Sequence, residues 1–269
     1  VGDDMDKKNL SGGEIHFETL EEGKIALLTI DNPPMNVLTT PLLQKLWENL
    51  DKIDESETTR VVIITGKGRS FVAGADIKEM VEKTPIDAMR FSQLGQAVLR
   101  KIETLWQPVI CAVNGYALGG GTELVMSCDI VVASKKAEFG QPEVKLGVTP
   151  GFGGTQRLAR LIGRQRAKEL IFTGSRVDAE TAMRLGLVNH VVEPEELLPT
   201  AEKIAKTILE NGPIAVALAK KAINQGLDTD LETGLAIEAE AFSMCFSTRD
   251  QKEGMKAFIE KRRPKFVNR

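Results

Sequence analysis

The chain has 269 residues, enough to bury a sizeable core as one large or two small domains. Its composition, 42% hydrophobic and 27% charged, is that of an ordinary globular protein. A formal net charge of −3 offers no basic field for nucleic acid, and the longest apolar runs, such as 61–64 and 130–133, fall far short of the roughly 20 residues of a membrane span.

Residues 1–13 are polar, lack the apolar run of a secretion signal and are set apart from the fold. Residues 23–30, Gly-Lys-Ile-Ala-Leu-Leu-Thr-Ile, read as a short strand that Asp31-Asn-Pro-Pro ends. Thr40 followed by Pro41 marks a helix start, and Leu42, Leu43, Leu46, Leu50 and Ile53 then share one helical face. Residues 60–65, Arg-Val-Val-Ile-Ile-Thr, form an unbroken apolar strand of the kind buried on both faces of a parallel sheet. A loop with Gly66, Gly68 and Gly74 follows, then a helix over 79–105, a buried strand at 108–113, a glycine turn at 119–121, a helix over 122–128 and a strand at 129–133. From about Thr155 helical patterns dominate, at 157–162, 165–172, 179–185, 199–209, 214–224, 231–246 and 250–262, interrupted by one strand at 187–192. Alternating β and α segments with a helical tail predict an α/β fold with parallel strands.

Cys111, Cys128 and Cys245 lack metal-ligand spacing and lie in apolar stretches, so buried free thiols in a reducing compartment are expected. The only histidines, His16 and His190, sit near no glycine-rich or acidic cluster. Neither histidine-based catalysis nor a metal site is expected.

Three glycine-rich segments adjoin predicted strands: Phe71-Val-Ala-Gly-Ala-Asp-Ile-Lys78, Gly115-Tyr-Ala-Leu-Gly-Gly-Gly-Thr-Glu-Leu124, and Phe139-Gly-Gln-Pro-Glu-Val-Lys-Leu-Gly147 continuing to Pro150-Gly-Phe-Gly-Gly-Thr-Gln156. Strand ends are where α/β folds place ligands. Gly119, Gly120 and Gly121 precede a helix, so a ligand can approach the main chain closely and meet free N–H groups. Such a turn suits a developing oxyanion or a phosphate, and equally a tight strand–helix connection. It matches neither a P-loop nor the dinucleotide fingerprint. Glu123 opens an otherwise apolar helix behind these glycines, where a solvated surface carboxylate is out of place. Glu143, in Gln-Pro-Glu, follows one strand and one turn later. Two carboxylates meeting at one cleft can divide general acid and general base work. With 38 acidic residues in the chain, it is the glycine setting rather than the spacing that singles them out.

Ala-Gly-Ala-Asp-Ile at 73–77, Asn-Gly-Tyr-Ala-Leu-Gly-Gly-Gly-Thr-Glu-Leu at 114–124, Gly-Gln-Pro-Glu at 140–143, Pro-Gly-Phe-Gly-Gly-Thr-Gln-Arg-Leu at 150–158, Thr-Gly at 173–174 and Ala-Met-Arg-Leu-Gly-Leu-Val at 182–188 together resemble the crotonase, or enoyl-CoA hydratase/isomerase, superfamily, and within it the short-chain hydratases. The resemblance runs from about residue 14 to the end, with the segments in order. It implies a spiral of ββα units over 14–200 and a C-terminal helical region, 201–269, used in trimer assembly. It implies reversible syn addition of water to a trans-2-enoyl-CoA, giving a 3-hydroxyacyl-CoA through a thioester enolate. By motif position Ala75 and Gly120 supply the oxyanion-hole N–H groups, and Glu123 and Glu143 activate water and manage the proton at C2. Coenzyme A, as part of the substrate, would lie over Ala73, Ala75, Asp76, Ile77 and Lys78. Lys261 would reach the nucleotide phosphate of a neighbouring subunit, or else be a solvated helix end. No separate cofactor is implied. The resemblance further implies a homotrimer or a hexamer built as a dimer of trimers, in bacterial cytoplasm or, in a eukaryote, the mitochondrial matrix.

Both glutamates being present favours hydration over the isomerases, which usually keep one of the two. A specialised hydroxyacyl-CoA dehydratase is the other enzyme reading. An RNA-binding relative is disfavoured by the net charge of −3 and a single tyrosine. Thr122 and Phe152 depart from frequent family choices. A Phe152 ring in the acyl pocket would narrow it and favour short chains, and the segment 79–93 would shape the same pocket. Phe258 is expected to pack in the core or to line the acyl channel.

Overall fold

A computed structural model describes residues 12–268; most of the polar leader, residues 1–11, lies outside it. Strands β1 (Glu14–Leu20) and β2 (Ile25–Asp31) form an antiparallel hairpin, followed by α1 (Thr40–Asp54). Thr39 Oγ1 caps α1 by accepting the N–H of Leu42, and Pro41 occupies its first turn. Three ββ units then succeed one another. Strands β3 (Val61–Gly66) and β4 (Ser70–Ala73) lead to α2 (Ile77–Met80) and α3 (Pro85–Thr104). Strands β5 (Val109–Val113) and β6 (Tyr116–Leu118) lead to α4 (Gly120–Met126). Strands β7 (Ile130–Ser134) and β8 (Glu138–Gly140) lead to a 3-10 turn, Glu143–Leu146. Helices α5 (Gly154–Ile162) and α6 (Arg164–Thr173), strand β9 (Arg176–Asp178), α7 (Ala179–Leu185) and β10 (His190–Val192) follow. The chain ends in α8 (Leu197–Leu209), α9 (Pro213–Gly226), α10 (Leu231–Cys245) and α11 (Arg249–Ile259).

The first strand of each unit enters a six-stranded sheet of order β1-β2-β3-β5-β7-β10, and the second enters a four-stranded sheet of order β4-β6-β8-β9. The chain therefore steps from one sheet to the other and back, advancing one strand per unit. This is the spiral of ββα units that the resemblance implies. In the large sheet, alternate residues face opposite ways. Leu28, Val62, Cys111 and Val131 join α1, α3 and α4 in the main core, while Ile25, Val61, Ile63, Ile110 and Val132 pack under Leu197, Ala201 and Ala205 of α8. Burial on both faces explains why β3 and β5 read as continuous apolar runs.

The structure departs from the sequence reading in four respects. The hairpin strand β1 was not expected: its residues are mostly exposed and carry no clear apolar alternation. The small sheet was not expected either, because β4, β6 and β8 have only four, three and three residues and overlap the glycine-rich segments. The helix expected over 79–105 is two helices. Residues 81–84 break it, and Thr84 caps α3 by accepting the N–H of Asp87, with Pro85 in its first turn. Finally, Cys111 is buried but Cys128 and Cys245 are only partly so.

Gly121 marks where the helix bearing Glu123 meets the small sheet. A Cβ there would fall 1.9 Å from the carbonyl oxygen of Val72 in β4. Gly121→Ala is expected to cost about 1–3 kcal/mol or more, as overpacking in a rigid core does. Gly151→Ala, whose nearest neighbour would be 3.7 Å away, should stay within about 0.5 kcal/mol of wild type. Urea unfolding midpoints of the two variants check this.

Candidate active site

The small sheet decides which loops meet. Leu118 of β6 pairs in parallel register with Ala73 of β4 on one side and Gly140 of β8 on the other. Because these strands run in the same direction, the residues after each pairing leave the sheet at one end. They are Gly74-Ala75, Gly119-Gly120 and Gln141-Pro142-Glu143. The three glycine-rich segments thus converge. Gly119 adopts φ 51° and ψ −123°, a conformation open to glycine. A Cβ on it would lie 3.0 Å from Glu143 Oε1 and 3.6 Å from Gly74 Cα, so both neighbouring loops press on this one backbone position. The Gly119 N–H donates to Gly140 O at 2.8 Å, and Gln141 Nε2 donates to Gly119 O at 3.2 Å.

Glu123 lies one turn into α4 and is 1% exposed. Its Oε1 accepts the N–H groups of Phe152 at 2.8 Å and Gly154 at 2.6 Å. A Cβ on Gly154 would come within 2.9 Å of that oxygen and 2.5 Å of Gln141 Oε1, so the approach requires glycine. Burial pushes the Glu123 carboxyl up to about 7 against the pull of the Gly154 N–H, and the charge of Glu143 adds to the rise. Glu143 opens the 3-10 turn, half-buried, and burial likewise raises its carboxyl to about 7. Its Oε2 is buried and, among the described residues, has no hydrogen-bond partner. The two acids therefore differ: one is held by two donors and the other is not.

Ala75 sits in an isolated parallel bridge with Leu38. Leu38 N donates to Gly74 O at 2.8 Å and Asp76 N to Leu38 O at 2.9 Å, which leaves the Ala75 N–H directed to the other side. In α4 the first intrahelical bond to Gly119 comes from Glu123 N at 3.0 Å, so the Gly120 N–H is one of the orphan donors of the first turn. Both sequence-expected oxyanion donors thus lack an acceptor among the described residues. Leu38 Cδ1 and the Phe152 ring close over Gly120, each 3.2 Å from where its Cβ would be. The Phe152 ring, 4% exposed, also meets Phe91 edge-on at 5.2 Å. Phe91 lines a neighbouring cavity of about 400 Å³ with Thr40, Leu94, Glu79 and Lys83, the last two from the segment 79–93 expected to shape the acyl pocket. Thr122 takes a structural part: its hydroxyl lies 2.5 Å from Ala117 O and accepts the Gly140 N–H at 3.1 Å, tying β6 to β8.

The remaining expected residues fall in two groups. Ala73 ends β4, Asp76 caps α2 by accepting the Lys78 N–H at 2.8 Å, and Ile77 and Lys78 are exposed on α2 beside the Ala75 bridge. Lys261 lies beyond α11, exposed, with its N–H on Phe258 O, and no hydrogen bond or ion pair among the described residues joins it to this cluster. Phe258 is 85% exposed, so it does not pack in this chain's core. Sequence reasoning missed Gln141 and the backbone of Phe152 and Gly154 as the groups that hold the site. The Gly-Phe-Gly-Gly run was the available signal, a loop that lets backbone N–H groups approach a buried acid. Among the described residues no group of three or more His, Cys, Asp and Glu side chains is placed to hold a metal ion.

Comparison with known proteins agrees with this geometry. The profile of the Enoyl-CoA hydratase/isomerase family matches residues 21–269. A short-chain-enoyl-CoA hydratase of Clostridium acetobutylicum is 54% identical over 245 residues, covering 90% of this chain and 94% of that protein. A crotonyl-CoA hydratase of Syntrophomonas wolfei subsp. wolfei is 51% identical over 251 residues, covering 93% and 96%. The crystal structure of an enoyl-CoA hydratase from Bacillus anthracis superposes with a TM-score of 0.91 at 43% identity, covering 95% of this chain and 99% of that one. The two-sheet spiral, its converging loops and these matches over nearly the whole length lead to one conclusion: the chain belongs to the enoyl-CoA hydratase/isomerase family.

Proposed function

We propose that this protein is an enoyl-CoA hydratase, adding water across the C2–C3 double bond of a 2-enoyl-CoA. The observation that carries this is a buried and a half-buried carboxyl, both raised to about 7, beside two N–H groups with no acceptor among the described residues. Glu123 acts as the base, because two backbone donors favour its ionised form against the effect of burial. Glu143 carries the proton, because no donor among the described residues meets its buried Oε2. As the water oxygen bonds to C3, its proton passes to Glu123 and the double-bond electrons move to the thioester oxygen. The N–H groups of Ala75 and Gly120 stabilise that oxyanion in a site shielded by Leu38 and Phe152. The enolate then takes the Glu143 proton at C2. Two acids converging from one sheet end favour delivery to one face, a syn addition. The reaction is redox-neutral, so it calls for no cofactor beyond the coenzyme A of the substrate. Ala73 to Lys78 form the shelf for that moiety. An isomerase needs a proton shuttle and no water-activating base, so the donor-held Glu123 favours hydration.

Assembly belongs to the same proposal. No residue of α10 is buried in the single chain, and Leu231, Leu235 and Phe242 on α10, Phe246 capping its end, and Phe258 and Ile259 on α11 are all exposed. So much apolar surface calls for a cover. The covering partner is another copy of the chain, in a trimer or a pair of trimers, with residues 201–269 as the assembly region and Lys261 directed to a neighbour's coenzyme A. A cytoplasmic location fits the bacterial relatives. No helix among the described residues is long and apolar enough to cross a membrane.

Crotonyl-CoA should lose the ultraviolet absorbance of its conjugated thioester when the protein is added. Glu123→Gln and Glu143→Gln should each lower kcat by about 10²–10⁴-fold with unchanged circular dichroism; normal turnover in either variant would contradict the assignment. The Glu123 carboxyl also makes stability depend on pH. Its folded value lies above the ordinary 4.5, so the native state binds more protons than the unfolded state between that value and about 7. Stability is fully present below 4.5 and falls as pH rises through this window, by up to about 3 kcal/mol. The Tm of Glu123→Gln relative to wild type should accordingly be higher at pH 8 than at pH 5. Light scattering after size exclusion should return three or six chains.

A further inference from the structure

Behind the loop that holds Glu123 lies a charged pair to which the hydration chemistry assigns no part. Arg157, in α5, and Glu103, at the end of α3, have side chains only 17% and 18% exposed, with Nε and Oε1 2.5 Å apart. Arg157 Nη1 also donates to Phe152 O at 2.8 Å. The guanidinium lies so close beneath the loop that a Cβ on Gly153 would fall 2.1 Å from Nη1. Gly153, at φ 113°, separates Phe152 and Gly154, the two residues whose N–H groups meet Glu123 Oε1. Glu103 is fixed in turn: its Oε2 faces Arg100 at 3.3 Å and its carbonyl accepts Asn224 Nδ2 of α9 at 3.0 Å. A pair as buried as this is a weak source of stability, since desolvation offsets much of the attraction. Its placement against one peptide of one loop is more specific than that.

We infer that Arg157, oriented by Glu103, is a positioning residue for the hydration reaction, gripping the Phe152 carbonyl so that the flanking N–H groups of Phe152 and Gly154 stay aimed at Glu123. This rests on the hydratase reading above. The charged groups around the device are few. Glu123 is faced by Glu143 from the 3-10 turn and by Arg157 from α5, whose charge pulls the Glu123 carboxyl down. Glu103 is faced by Arg100 and Arg157 and, at longer range, by Asp129, which pairs with Lys220 of α9 at 2.7 Å.

Steady-state hydration of crotonyl-CoA across pH, on wild type, Arg157→Gln, Arg157→Lys and Glu103→Gln, tests this. Arg157→Gln is expected to lose about 10- to 100-fold in kcat, the scale of an ångström-sized misplacement, with KM little changed. The acidic limb of its kcat/KM profile should move to higher pH, because the base loses aligned donors and a nearby positive charge. Arg157→Lys should recover part of kcat, since it keeps the charge but lacks the fork that reaches both partners. Glu103→Gln should show the same pattern more weakly, and stands in if Arg157→Gln fails to fold. Folded variants with wild-type kcat and an unmoved acidic limb would overturn the inference. So would losses that merely track the folded fraction while the limb stays put. Wild-type turnover decides the hydratase reading by itself, so the two failures are distinguishable.

Discussion

The parallel register of the small sheet is the constraint on which the site depends. Leu118 is paired with both Ala73 and Gly140, and this alone brings Ala75, Gly120 and Glu143 to the same end of three short strands. A slip of one residue in either pairing would reverse the direction of every side chain beyond it. The sheet has few hydrogen bonds of its own, so its register is secured from outside. The Thr122 hydroxyl joins β6 to β8, the Gly119 N–H bonds Gly140 O, and Gly121 lets α4 press onto Val72. The same residues that make the helix N-terminus accessible to a ligand also hold the strands that aim it.

Electrostatics follows from this arrangement. Two carboxyl groups placed in a dry site resist ionising, and each rises to about 7. What separates the two is hydrogen bonding. Glu123 has donors from Phe152 and Gly154, and Glu143 Oε2 has none among the described residues. The donors to Glu123 also connect it, through the Phe152 backbone and Arg157, to Glu103 on α3 and onward to α9. Helix α9 is therefore linked, within one chain, to the loop that holds Glu123.

The sequence made different layers of this structure legible to different degrees. The strands of the large sheet, β2, β3, β5 and β7, are mostly apolar because both faces are covered, and they were readable as apolar runs. The strands of the small sheet are too short for any periodicity, and their glycines read as loops. Glu123 stood out because a solvated surface acid is out of place at the opening of an apolar helix. Glu143 stood out only through Gln-Pro-Glu beside glycines and through family resemblance. Gln141, the Phe152 and Gly154 N–H groups and the Arg157–Glu103 pair were not legible. Their roles depend on main-chain directions and on contacts across 54 residues of sequence, as between Arg157 and Glu103, which no local pattern encodes.

The central claim is that two acids, brought to one end of a short sheet, act on one face of a planar enoyl thioester. Hydration of crotonyl-CoA in heavy water, with the configuration of the product determined at C2 and C3, tests it directly. The account predicts one deuterium at C2 on the same face as the new hydroxyl. Deuterium on the opposite face, or scrambled between the two, would contradict it.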